Sequence, residues 1–174
     1  MRSILTLSLA FLLATFEASG TGNTPVPLRE LRNAPITLAV QDRSLSLSAT
    51  LWRDFMPSMP PSRDGKPLIA IFKVATAGGK SFPAGVRVDR AWVFFGEQLW
   101  EPSQLEEQDA AEPSYRNKSG AYANRADSPV FNLVARGGPK WRPGVEVDVV
   151  VQLIDKDGQH YLLRTAKQGI GKVN

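Results

Sequence analysis

A strict alternation limits this chain more than any other feature. Leu45, Leu47, Ala49 and Leu51 are apolar, and Ser44, Ser46, Ser48 and Thr50 around them are polar. A helix would scatter such a pattern around its circumference. A strand puts successive side chains on opposite faces, so the segment predicts a strand with one dry and one wet face. The same period recurs in Ile36, Leu38 and Val40, and in Val145, Val147, Val149, Val151 and Leu153, which line one face of what reads as the longest strand. Residues 68–74 differ, because Leu68, Ala70, Phe72 and Val74 are matched on the opposite face by Ile69 and Ile71; both faces being apolar predicts a central strand. Val86, Val88, Trp92 and Phe94 form another run, with Asp89 and Arg90 breaking the alternation where a bulge fits.

The connections carry their own signals. Gly96 ends one run and Gln98 to Trp100 returns as a short hairpin arm, while Asp155, Lys156, Asp157 and Gly158 make a tight turn from which Tyr161 and Leu163 lead back. Pro102 predicts one helical turn over residues 103–108, since proline suits a first helical position. Residues 112–128 are polar, contain Gly120 and hold no period, so they read as a long loop, and residues 130–135 as a further strand. Seven or eight short strands without a long helix describe an all-β sandwich.

Residues 1–20 stand apart. Arg2 precedes a largely apolar run from Ser3 to Phe16, followed by Ala18, Ser19 and Gly20, the pattern of a signal peptide. The run is shorter than the ~20 apolar residues of a membrane span, and no later stretch approaches that length. The expected organisation is a signal peptide over 1–20, an N-terminal arm over 21–34 in which Pro25 and Pro27 disfavour helix, and a sandwich domain over 35–174. The expected location is periplasmic or secreted, with no transmembrane segment in the mature chain. The absence of cysteine excludes a disulfide framework, a thiolate zinc site and a cysteine nucleophile.

The series Trp141, Pro143, Gly144, Val145, Val147, Val149, then Asp155, Gly158 and Tyr161 resembles the penultimate and final strands of immunoglobulin-like or fibronectin type III-like domains of exported bacterial proteins. The resemblance covers about the last third of the chain, and it departs from the family in lacking a cysteine pair and a tyrosine corner. It implies a Greek-key sandwich used as a binding or spacer module. The fold class expected is therefore all-β, a single antiparallel immunoglobulin-like β-sandwich with two long loops.

Charge and chemistry narrow the function. The formal net charge is +4, and Glu97, Glu101, Glu106, Glu107, Asp109 and Glu112 fall in a stretch free of Lys and Arg, which leaves the other segments a surplus of bases. Those bases are scattered singly, unlike the clustered footprint of a nucleic-acid binder. Nucleophilic catalysis lacks its usual equipment: His160 is the one histidine, placed as edge decoration after a turn, and no nucleophile elbow occurs. The acids between Glu97 and Glu112 are the only dense supply of carboxylates for glycoside hydrolysis, and read as a solvated stretch unless two share a cleft. Asp155, Asp157 and Gly158 resemble a fragment of a calcium loop but lack its later ligands, which favours a turn. Met56 and Met59 offer soft thioethers suited to copper(I), with His160 distant in sequence.

The connection from Arg53 to Pro67 is the preferred surface. It presents Phe55, Met56 and Met59 between Pro57, Pro60 and Pro61, and stiff loops with exposed apolar groups are what a partner can bury. Arg53, Arg63 and Lys66 supply charge around it. Trp100, Tyr115 and Tyr122 form a second candidate, while Trp52, Trp92 and Trp141 read mainly as packing residues. The leading expectation is a non-enzymatic extracytoplasmic module that recognises a protein or cell-envelope component through Arg53, Phe55, Met56, Met59, Arg63, Trp100 and Tyr115, without cofactor or metal. The alternatives are a glycan-acting hydrolase using paired carboxylates and a periplasmic copper(I) carrier.

Overall fold

A computed structural model describes residues 25–57, 64–108 and 128–174. The expected signal peptide, Met59, Arg63, Tyr115, Tyr122 and all of the long polar loop except Ser128 lie outside the described residues. Among the described residues the chain forms one short α-helix, α1 (Leu28–Arg32), a single 3-10 turn (Ala77–Gly79) and ten strands: β1 (Thr37–Val40), β2 (Arg43–Asp54), β3 (Leu68–Thr76), β4 (Arg87–Phe95), β5 (Gln98–Trp100), β6 (Glu106–Gln108), β7 (Val130–Gly138), β8 (Glu146–Ile154), β9 (His160–Arg164) and β10 (Gln168–Val173). All ten belong to one hydrogen-bonded sheet in the order β5-β4-β8-β10-β2-β3-β7-β6, with β1 added to β2 and β9 to β8.

The alternation over residues 44–51 does what period two requires. Leu45, Leu47 and Leu51 are buried while Ser44, Ser46, Ser48 and Thr50 face solvent. At twelve residues β2 exceeds the nine of β8, so it, and not β8, is the longest strand. β3 pairs with β2 on one side and β7 on the other, as two apolar faces demand, and the β4–β8 register shifts between Val88 and Arg90, where Asp89 breaks the pattern.

Pairing is not antiparallel throughout. β10 runs parallel to β2, with Ile170 opposite Leu51 and Val173 opposite Asp54, while its first residues pair antiparallel with β8 at Val147 and Glu146. β10 thus stitches two wings: β2, β3, β7, β6 and β1 on one side, and β8, β4, β5 and β9 on the other. A second tie is covalent. The path's two terminal strands, β5 and β6, are joined by residues 101–105, a link of about 20 Å at most, so the wings curl toward each other. Both accordingly feed one core, in which Leu45, Phe72 and Leu133 pack in the same cluster as Val93, Val149 and Leu163. The helical turn expected over 103–108 is absent. Residues 106–108 instead pair with β7, whose free edge offers ladder hydrogen bonds that outweigh the weak local preference of Glu and Gln for helix.

The N-terminal arm also departs from expectation. Pro25 and Pro27 do not prevent α1, because Pro27 stands just before it with φ −60°, a value suited to a helix start. Five residues are too few for a helix to persist alone. Burial supplies the difference: Leu31 is wholly enclosed with Ala34, Trp92, Phe94 and Val150 in a second cluster on the outer face of β4 and β8. Enclosing a leucine contributes about 1.5–3 kcal/mol. Arg32 adds a tie to the β4–β5 turn, donating to the Gly96 carbonyl and the Glu97 carboxylate at 2.7 Å each. Ala91 and Val93 therefore face one cluster and Trp92 and Phe94 the other, which is why four consecutive residues of β4 are buried.

Candidate functional site

The strand registers sort the connections onto two ends of the molecule. At one end lie the exits of β2, β4, β7 and β10 and the starts of β3, β5 and β8, since Trp52 sits opposite Ile69, Leu68 opposite Gly138, Phe94 opposite Asp148 and Phe95 opposite Gln98. This is the Met56 end. The opposite, Asp155 end carries the β1–β2 turn at Gln41 and Asp42 and the β8–β9 turn at Asp155 to Gln159.

At the Met56 end the sequence-derived site is partly reshaped. Arg53, expected at the rim of an exposed patch, is only 4% exposed. Its guanidinium donates through Nε to the Lys66 carbonyl at 3.0 Å, through Nη1 to the Lys140 and Trp141 carbonyls at 3.1 Å each, and through Nη2 to the Asp64 carbonyl. It also lies 4.9 Å from the centre of the Phe55 ring. A charge enclosed in this way is satisfied by carbonyl dipoles and an aromatic face. Arg53 is a clamp between two connections, and parity was its sequence signal: it continues the inward series Leu45, Leu47, Ala49, Leu51.

Phe55 is half-buried beneath the clamp and carries Lys172 on its ring as well, the ammonium 5.2 Å from the centroid. The ring occupies the space a Cβ on Gly65 would need: such an atom would stand 2.8 Å from it, and Gly65 has φ +65°, so glycine is required there twice over. Beyond Phe55 the backbone presents Met56, which is 52% exposed. Asp54 turns that corner by accepting the Met56 N–H at 2.8 Å and the Lys66 ammonium at 2.6 Å. Those two bonds, Lys66 first, hold the Asp54 carboxyl below the usual carboxylate range.

Sequence reasoning missed the companions of Met56. Among the described residues five large apolar side chains are notably exposed, and four lie at this end: Met56, Phe95, Leu99 and Val173. Ile36, the fifth, flanks β1. Phe95 stands before Gly96 in the β4–β5 turn and meets Trp141 at 6.2 Å, while the Trp141 indole N–H donates to the Gln98 side chain. The available signal was local, an aromatic residue directly before the glycine of a hairpin turn. Trp100 lies on β5 and is half-buried, its ring filling the space above Gly138, where a Cβ would approach within 2.8 Å. It packs against the core rather than standing free.

The acidic stretch contributes to a different feature. A cleft of about 760 Å³ opens along the seam between the wings, lined by Arg87, Asp89, Arg90, Glu101, Glu107 and Phe131 among others. Two of the acids singled out in the sequence, Glu101 and Glu107, thus share a concavity. Glu101 is gripped by Arg90 through bonds of 2.6 and 3.1 Å, and Arg90 in turn lies 4.7 Å over the Trp92 ring. Glu97 is instead engaged by Arg32 near the β4–β5 turn, and Glu106 stands 3.7 Å from Arg136.

At the Asp155 end the turn is self-contained. Asp155 accepts the N–H groups of Asp157 and Gln159 at 2.9 Å each and the Tyr161 hydroxyl at 3.0 Å. These bonds, that of Gln159 foremost, keep its carboxyl below the ordinary range, and the same carboxylate raises the Tyr161 phenol. His160, exposed, meets the buried Gln152 amide. It lies at the opposite end of the strands from Met56, so the two potential copper ligands within the described residues do not converge. Among the described residues no group of three or more His, Asp or Glu is placed to hold a metal ion, and no helix is long and apolar enough to cross a membrane.

Compared with protein-family models and with curated proteins, the chain matches none. The functional reading therefore stands on the geometry of these two ends and the seam.

Proposed function

We propose that this chain is a non-enzymatic binding or accessory module of extracytoplasmic type, an immunoglobulin-like sandwich that recognises a protein or cell-envelope component through its Met56 end. One observation carries the reading: among the described residues, four of the five exposed large apolar side chains, drawn from separate elements of the chain, gather at one end of the strands. Scattered exposed apolar residues are ordinary on any protein, but a grouping on one end marks an interaction surface. Phe55, Met56, Phe95, Leu99 and Val173 supply the contact area, and the Arg53 clamp fixes two neighbouring connections, residues 64–66 and 140–141, so that less entropy is lost on binding. Capture of envelope components on immobilised protein is the direct test. Phe55→Ala with Met56→Ala should abolish retention, and retention at full strength would remove this end as the site.

The seam favours a second reading. A glycan-acting hydrolase would draw on two carboxylates in one cleft, and Glu101 and Glu107 both line this one, Glu101 bonded to Arg90. Release of reducing sugar from glycan substrates that disappears in Glu107→Gln would support it, and release that persists in Glu101→Gln with Glu107→Gln would dismiss it.

A further inference from the structure

We infer that the Met56 end docks on a lipid surface bearing anionic headgroups, with its apolar tips entering the headgroup and upper acyl region. This rests on the reading of the same end as the binding surface and names what it meets.

The shape of the end is the first argument. Its exposed apolar groups come from separate elements: Met56 follows β2, Phe95 ends β4 and Leu99 lies on β5 across one turn, and Val173 ends β10 beside Phe55, whose N–H it binds through its carbonyl at 2.8 Å. Each is roughly half exposed by itself. A folded partner must match the position of each such side chain, whereas an interface of lipid headgroups deforms around scattered apolar groups and buries them about 5–10 Å deep. Trp141 suits the same boundary, since its indole N–H is held by Gln98 while its ring lies half-exposed beside Phe95.

Charge is the second argument. Lys66 is balanced by Asp54 and Lys140 faces Asp64 at 3.9 Å. Lys172 and Arg142 are both exposed, and among the described residues neither makes an ion pair; Lys172 has only the Phe55 ring beneath it. Arg53 adds a buried positive charge met by carbonyls and the Phe55 ring but by no carboxylate among the described residues. Among the described residues the end therefore offers exposed apolar groups beside two exposed cations without an ion pair, Lys172 and Arg142, and one acid without one, Glu146. Each cation near an anionic leaflet strengthens attachment severalfold at low salt, an effect screened as ionic strength rises.

Cosedimentation of the purified protein with phosphatidylcholine vesicles, with and without phosphatidylglycerol, tests this. Binding is expected to the anionic vesicles and to weaken with added salt. Met56→Asp with Phe95→Asp should lower it about tenfold or more, because each charge must then enter the interface. Lys172→Glu with Arg142→Glu should lower it on anionic vesicles while leaving neutral vesicles unaffected. Circular dichroism of each variant, and the milder Met56→Ser, guard against loss of fold; all four residues are exposed. Failure to bind either vesicle, or binding indifferent to the tip variants, would overturn the inference. If a purified envelope protein bound this end and the tip variants abolished that binding while vesicles stayed free, the lipid assignment would fall and the binding-module reading would stand.

Discussion

The Met56 end and the Asp155 end are built from the same strands and solve the same problem, how to reverse the chain, by opposite means. At the Asp155 end a carboxylate gathers the neighbouring N–H groups and a tyrosine hydroxyl into a closed turn with its polar groups satisfied locally. At the Met56 end the organiser is a buried guanidinium that reaches carbonyls of two different connections, residues 64–66 and 140–141, and leaves apolar side chains pointing outward. A turn that satisfies itself has no need of a partner. An end held from within, with its apolar tips left uncovered, is ready for one.

The contrast can be broken or sharpened by substitution. Arg53→Ala should have the largest effect, because it orphans several carbonyls that now bond to a charged donor. A loss of at least about 3 kcal/mol in urea unfolding is expected, and a loss no greater than that of the Asp155 variant would mean that the two ends are held alike. Gly138→Ala comes next. The added methyl meets the Trp100 ring, so destabilisation of about 1–3 kcal/mol should accompany a shift in tryptophan emission; unchanged emission would show that the ring yields freely. Asp155→Ala should act less and through pH. The Asp155 carboxyl titrates lower in the folded protein than its ordinary 3.8, so its contribution is present above that pH and fades as pH falls through the folded value. The stability gap between wild type and Asp155→Ala should accordingly narrow below pH 3.8, and a gap that widened would reverse the assigned linkage. Met56→Ala should be the mildest, within about 0.5 kcal/mol in thermal unfolding, since the side chain stands in solvent. A larger cost would show that Met56 belongs to the fold rather than to a surface.

Period two was legible because it is written in adjacent residues. Leu45, Leu47 and Leu51 announce their face, Ile69 and Ile71 announce a strand paired on both sides, and Asp89 marks its own bulge. What could not be read depends on residues distant in sequence. The parallel pairing of Ile170 with Leu51 leaves no local trace, and α1 forms because Trp92 and Phe94 offer Leu31 a place to go. Glu106 to Gln108 become a strand for the same reason, since β7 needed a neighbour there. The site was half legible. Phe55 and Met56 stand out as apolar residues in a proline-rich connection, but their grouping with Phe95 and Val173 required the register of four strands, and the inward turn of Arg53 was hidden by its charge even though its parity pointed to the core.

The placement of β10 has a kinetic consequence. Each wing contains its own hairpins, which close early, yet the strand that joins them is made from residues 168–173 and pairs on one side with nearby β8 and on the other with β2, far earlier in the chain. Contacts so widely separated in sequence form slowly. The two half-sheets must therefore wait, apolar faces incompletely covered, until those few residues arrive, and a chain shortened before Gln168 would leave them linked by connections such as residues 101–105 but by no strand pairing among the described residues.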